Sequence, residues 1–226
     1  MIGGACSMGK TVLFKSILLN QLISNKKCMY FDLEWTKEQF IQSLLFMLAE
    51  INISKRRILS DMDRDKLKTA LNNMLDLRLE IFDCSCYKVE QIIKAIKNNK
   101  PDYVFIDPLQ EIRTDDNLYI INHILEKLRT CARETGTTIF VTSILEDTVR
   151  NNKYQIPTWK DFKNSEAVIE FCDQVLLLYR PSCYYSEEDM PESHEKNKLE
   201  IYSAKTIKGF VSYDFNFDTY KIKANI

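Results

Sequence analysis

Residues 4–11, "GACSMGKT", limit what this chain can fold into more than any other stretch. They fit the phosphate-loop pattern G-x-x-x-x-G-K-S/T, in which backbone N–H groups and a helix N-terminus surround phosphate oxygens. Such a loop lies between a buried strand and a helix, so it predicts an α/β protein with a nucleotide as guest. By the same template Gly4, Ser7, Met8 and Gly9 build the wall of the loop, Lys10 reaches the β and γ phosphates, and the Thr11 hydroxyl ligates Mg²⁺. The plainer alternative is a glycine-rich turn that opens an ordinary helix.

The hydrophobic periodicity downstream agrees with the α/β reading. Val12, Leu13, Ile17, Leu18, Leu22 and Ile23 recur at helical spacing, and "CMYFDLE" from Cys28 reads as a short buried strand. Thr36 and Gln39 form a capping box for the helix "KEQFIQSLLFMLAE". Residues 54–78 read as a polar, exposed helix, "RLEIFD" as a strand, "KVEQIIKAIKNN" as a helix and "DYVFIDPL" as a buried strand closed by Pro108. A helix ending at Gly136, the strand "TTIFVTSIL", a polar loop over residues 146–157 and the strand "DQVLLLYR" follow. "KLEIYSAKTIKGFVSYDFNF" closes the chain as antiparallel strands turning at Gly209. Strands alternating with helices predict a mostly parallel sheet flanked by helices, with antiparallel strands at its C-terminal end.

Composition narrows the function. With 226 residues, 45% of them hydrophobic, the chain suits one domain with a substantial core. No apolar run approaches the ~20 residues of a membrane helix and no leader is visible, so the expectation is no membrane association and a cytoplasmic location. Seven cysteines without paired C-x-x-C spacing argue for reduced, mostly buried thiols rather than zinc or a disulfide framework; Cys6 reads as a plain loop residue. A net charge of −1 neither supports nor excludes a nucleic-acid partner.

Two carboxylates complete the candidate chemistry, because ligands in such folds bind beyond the carboxyl ends of the strands. Asp107 closes the apolar strand "YVFI", where a carboxylate can hold Mg²⁺ directly or through water, as in a Walker B strand. An ordinary Asp-Pro turn is its alternative. Glu34 follows the strand from Cys28, where it could polarise the water that attacks the γ phosphate; the alternative is a charge leading into a helix.

The order of these motifs resembles the RecA-like motor domain of DnaB-type replicative helicases. "GGACSMGKT" is similar to the family's phosphate loop, "YFDLEWTKEQF" to its strand-glutamate-helix segment, and "VFIDPLQEI" to its Walker B strand followed by Leu-Gln, here Leu109-Gln110. "IPTWKDFKNSEAVIEFCDQVLLLYR" resembles a further segment and aligns Asp161, Ser165, Asp173, Tyr179 and Arg180. The resemblance covers almost the whole chain. It implies a RecA-like P-loop NTPase core that hydrolyses ATP with Mg²⁺, with Phe14 and Arg180 joining the nucleotide site and Gln110 as a further polar site residue. It also implies single-stranded DNA as partner, with Arg113, Arg150 and Lys153 as candidate contacts. A homo-hexameric ring with nucleotide sites between subunits is implied for the full-length protein, together with a primase or a helicase loader as partner.

Three departures stand out. Where the family carries a γ-phosphate-sensing glutamine the chain has Ile144, and where the family places an arginine that enters the neighbouring site it has Ile207. Isoleucine lacks the planar fork that stabilises charge on a transferring phosphoryl group, which leaves Lys205 and Lys208 as catalytic candidates acting across an interface. Only Met1, Ile2 and Gly3 precede the phosphate loop, so the expectation is a single RecA-like ATPase domain over residues 1–226 that lacks the upstream strand and any N-terminal domain. The two isoleucines motivate a second reading, a non-motor or weakly active RecA-like protein that binds nucleotide together with DNA or protein; a recombinase-like or clock-type relative is a third.

Overall fold

The computed structural model describes residues 1–52, 58–83, 87–114, 121–146, 156–186, 188–190, 197–205, 210–216 and 218–224. Among them, nine strands form one sheet: β1 (Ile2–Gly4), β2 (Cys28–Asp32), β3 (Leu79–Asp83), β4 (Tyr103–Asp107), β5 (Thr138–Ile144), β6 (Leu176–Tyr179), β7 (Lys198–Ser203), β8 (Phe210–Asn216) and β9 (Lys221–Ala224). Their order is β3-β2-β4-β5-β1-β6-β7-β8-β9. From β3 to β6 all neighbours are parallel, and from β6 to β9 all are antiparallel. This is the expected RecA-like arrangement.

The helices α1 (Lys10–Ile23), α2 (Lys37–Leu48), α3 (Asp61–Leu75), α4 (Val89–Asn99), α5 (Ile121–Thr135) and α6 (Ser165–Phe171) cover the two faces. The period of two in the strands decides which face each residue serves. Met29, Phe31, Val104, Ile106 and Leu177 point to a core shared with Val89, Ile92 and Ile96 of α4, Ile124 and Leu128 of α5, and Val168 of α6. Cys28, Tyr30, Phe105 and Leu178 point to the other, shared with Phe14, Leu18 and Leu22 of α1 and Phe40 and Leu44 of α2. Both layers are built of buried hydrophobic side chains, and almost continuous apolar strands result.

Strand β1 is short but central. Ile2 pairs with Thr142 on one side and Leu176 on the other, so the phosphate loop leaves the middle of the sheet. A Cβ at Gly3 would lie 2.2 Å from the Phe162 ring, so a side chain there requires that ring to move. The expected polar helix of residues 54–78 is found as α3, opened by a Ser60–Asp63 capping box; residues 53–57 lie outside the described segments. Helix α6 and strand β9 go beyond the sequence expectations. The turn expected at Gly209 lies outside the described residues, while β7 and β8 on either side of it pair as antiparallel strands.

Candidate nucleotide site

The parallel register brings the chemistry to one edge. Asp32 at the end of β2 pairs with Asp107 at the end of β4, and Gly4 of β1 lies beside Ile144 of β5. A cleft of about 460 Å³ opens there, and Lys10, Thr11, Glu34, Asp107, Ile144 and Arg180 all line it.

The loop owes its path to two left-handed residues, Ser7 at φ 63° and Gly9 at φ 96°. Gly9 is the N-cap of α1, and the absence of a Cβ makes its conformation inexpensive. Lys10 folds back over the loop, its Nζ donating to the carbonyls of Gly4 at 2.8 Å and Ala5 at 2.9 Å. Burial lowers its pKa, with Cys6, Asp107 and Glu34 pulling the other way.

Thr11 ties the loop to the Walker B strand: its Oγ1 donates to Asp107 Oδ2 at 2.8 Å across 96 residues of sequence. Tyr30 donates its hydroxyl to the same oxygen at 2.9 Å, and Thr142 donates to Oδ1. The buried Asp107 carboxylate is thus held by three hydroxyls from three elements. These are hard oxygen donors with one carboxylate, and among the described residues no group of three or more His, Cys, Asp or Glu converges. That set fits Mg²⁺, which keeps several waters and takes one or two carboxylates beside substrate phosphates.

Glu34 lies two residues beyond β2 on an exposed turn. Asp32 Oδ1 shapes that turn by accepting the N–H of Trp35 at 2.8 Å and of Glu34 at 3.3 Å. Partial burial raises the Glu34 pKa, and the charges of Asp107 and Glu111 raise it further against the pull of Lys10. Burial likewise holds Asp32 at about 6.

Not every expected site residue reaches the cleft. Phe14 is a correction: it is fully buried, packed edge-on against Phe105 and Tyr30 in the layer beneath the loop, because its position on α1 faces the sheet. Met8 is also buried, so only its backbone can face a phosphate. Arg180, just after β6, lies with its guanidinium 5.6 Å from the centre of the Phe215 ring. Gln110 braces the strand ends, its Nε2 donating to Ser143 Oγ at 2.9 Å and to the Ile144 carbonyl at 3.1 Å. Lys205 is exposed and donates to the carbonyls of Ile169 and Cys172, both at 2.6 Å, which closes the C-terminus of α6. Arg113 is exposed, with its backbone paired to Tyr87 and Val89. Arg150, Lys153, Ile207 and Lys208 lie outside the described residues, as do Cys84 and Cys86. Of the other cysteines, Cys28 and Cys131 are buried, Cys172 is half-buried, and Cys6 and Cys183 are exposed, so the thiols are less uniformly buried than expected.

Sequence reasoning missed Tyr30, Thr142, Lys15 and Trp35, which line or brace the site. The available signal was polarity out of place, a hydroxyl inside each of two apolar strands and a lysine on the buried stripe of α1.

Known proteins resemble this chain in sequence and fold. A chain from Trieres chinensis described as "Probable replicative DNA helicase" is 28% identical over 88% of this chain and 47% of its own length. The replicative DNA helicase DnaB of Helicobacter pylori is 29% identical over 81% of this chain and 40% of its own. The chain therefore spans less than half the length of these relatives. Among solved structures, one described as an ATPase domain superposes with a TM-score of 0.89 at 26% identity, over all of this chain and 84% of that one. A DnaB-like replicative helicase, solved in a study of its interactions with primase, gives 0.90 at 25% identity, over all of this chain and 57% of that one. The family model of the DnaB-like helicase C terminal domain matches residues 1–221, and the chain belongs to that family.

Proposed function

We propose that this chain is the ATP-driven motor domain of a DnaB-like replicative helicase. The observation that carries the reading is the Thr11–Asp107 hydrogen bond, which joins a phosphate loop to a Walker B carboxylate inside one cleft. Loop N–H groups and Lys10 hold the β and γ phosphates of ATP, with phosphate oxygens replacing the Gly4 and Ala5 carbonyls as acceptors for the ammonium. Thr11 and Asp107 would hold Mg²⁺, which would supply positive charge against the phosphates. Glu34 orients the attacking water and takes its proton, a task its raised pKa suits.

Single-stranded DNA is the proposed polymer partner, contacted by Arg113, Arg150 and Lys153 in the centre of a homo-hexameric ring. Lys205 and Lys208 supply positive charge to the neighbouring site, the domain over residues 1–226 works beside further parts of a longer protein, and a primase or a loader docks on the assembly. Of these two, the solved relative's study with primase supports the primase. No described helix is long and apolar enough to cross a membrane, and the proposed place of action is the cytoplasm.

Family membership favours a motor over a non-motor nucleotide-binding protein, although Ile144 lines the cleft where an amide is expected. The test is DNA-stimulated MgATP turnover of the chain against its Lys10→Ala variant. Binding of ATP without turnover above that control would remove the motor reading and leave the non-motor one.

A further inference from the structure

Among the described residues, Lys15 is the only buried lysine or arginine, 3% exposed on the face of α1 that otherwise carries Leu18, Leu19 and Leu22. A buried ammonium is expensive unless it is compensated, and a hydrocarbon of the same length would fill the space without that cost. The compensation is specific. Its Nζ donates to Ser43 Oγ of α2 and lies 4.5 Å from the centre of the Trp35 ring and 4.8 Å from that of Phe40. Asp32 of β2 and Asp107 of β4 act on it electrostatically, and Lys10 of its own helix and Glu34 of the turn line the same cleft. Burial still outweighs these partners and lowers the ammonium to about 8.

The partners of Lys15 bracket Glu34. Asp32 fixes the turn from below through the N–H groups of Glu34 and Trp35, and the Trp35 ring lies on the ammonium from the other side. One charge, rooted in the helix that begins with Lys10 and Thr11, therefore contacts Trp35 at one end of the turn that presents Glu34 and acts electrostatically on Asp32 at the other. We propose that Lys15 is a positioning residue that locks the Asp32–Trp35 turn against the phosphate-loop helix and so sets the distance from Glu34 to the γ phosphate. The proposal rests on the hydrolytic reading of the cleft.

The test compares Lys15→Met, Lys15→Arg and Trp35→Leu. A misplacement of about 1 Å can cost ~10²-fold in rate, so Lys15→Met should lose at least ~10-fold in kcat while its Kd for MgADP and for a non-hydrolysable MgATP analogue stays within about twofold. Lys15→Arg should recover part of the rate, and Trp35→Leu, which keeps the buried charge, should show the same split between kcat and Kd. Turnover within twofold of the parent in both Lys15→Met and Trp35→Leu would overturn the proposal. So would a loss confined to Kd, which would make Lys15 a direct phosphate contact. A second readout is independent of hydrolysis. In a Trp159→Phe background Trp35 is the sole indole, since the chain has two tryptophans, and Lys15→Met should shift its emission. Unchanged emission would show that Lys15 does not anchor the turn. A shift in a protein whose parent hydrolyses no MgATP would instead keep the anchor and sink the hydrolytic reading, and the positioning role with it.

Discussion

Asp107 has its carboxylate among three hydroxyls, those of Thr11, Tyr30 and Thr142. Tyr30→Phe keeps the ring contacts with Phe40 and Phe105 but removes one donor to the buried carboxylate. A hydrogen bond to a charged group contributes ~1.5–3 kcal/mol, and a loss of that order in unfolding free energy is expected from urea titration of this variant. Full retention of stability would mean that the Tyr30 hydroxyl exchanges Asp107 for water at no cost. Glu34 gives a second prediction: Glu34→Gln should keep ATP affinity while slowing hydrolysis by at least ~100-fold, as loss of a general base does. Unchanged turnover would remove it from the catalytic set. These residues also mark how far the site was legible in the sequence. Lys10, Thr11 and Asp107 stand in patterns whose spacing reflects phosphate geometry, so they could be located without coordinates. Tyr30 and Thr142 offered only a hydroxyl inside an apolar strand, a signal that names no partner, and only the register of β2, β4 and β5 turns those hydroxyls onto one carboxylate. Phe14, placed in the site by the resemblance, lies beneath the cleft instead, since its position on α1 faces the sheet.

At the scale of elements, α2 begins immediately after the turn that carries Glu34, so its N-terminus helps to set that turn. Thr36 accepts the Gln39 N–H at 3.4 Å while Gln39 Oε1 accepts the Thr36 N–H at 3.0 Å. Thr36→Ala should cost about 1 kcal/mol in chemical denaturation, and the Trp35 emission should report a looser turn. Between α1 and α2 the buried Lys15 makes stability depend on pH. Its folded pKa of about 8 is depressed from the ordinary 10.5, so the unfolded chain binds more protons between those values and stability rises with pH there. The contribution is full above the unfolded pKa and lost as pH falls through about 8. A difference of up to ~3 kcal/mol in the pH dependence of the parent against Lys15→Met, read from denaturation curves between pH 7 and 10.5, is the expected size. Parallel curves would show that Lys15 is solvated in solution. The elements themselves were readable where period and caps agreed, as for β4, α4 and the Thr36 box. Helix α6 was less so, because its seven residues are too short for a helical period to declare itself, and β9 offers four residues whose pairing depends on the fold of β8.

On the scale of the whole molecule, the question is where the cation for the transition state originates, since Lys10 is the only basic residue of the loop itself and the position expected to hold an arginine is Ile207. A site completed by its neighbour turns over faster as subunits associate, so the rate per chain should climb with protein concentration and reach a plateau at full assembly. Lysine lacks the bidentate geometry of arginine, and the plateau should accordingly be low. Mixing separates action across an interface from action within one chain. A Lys205→Ala/Lys208→Ala protein keeps its own phosphate loop, and a Lys10→Ala protein keeps both lysines, so in the proposed ring mixed assemblies would contain interfaces where one intact half meets the other. Turnover of the mixture above the sum of the parts is the expected result. Within one chain Lys205 already closes α6 through the carbonyls of Ile169 and Cys172, so the double variant needs a melting curve to show that α6 and its surroundings survive. If it melts like the parent, if mass measurement finds mixed assemblies, and if no turnover returns, then Lys205 is a helix cap and the missing arginine has no lysine in its place.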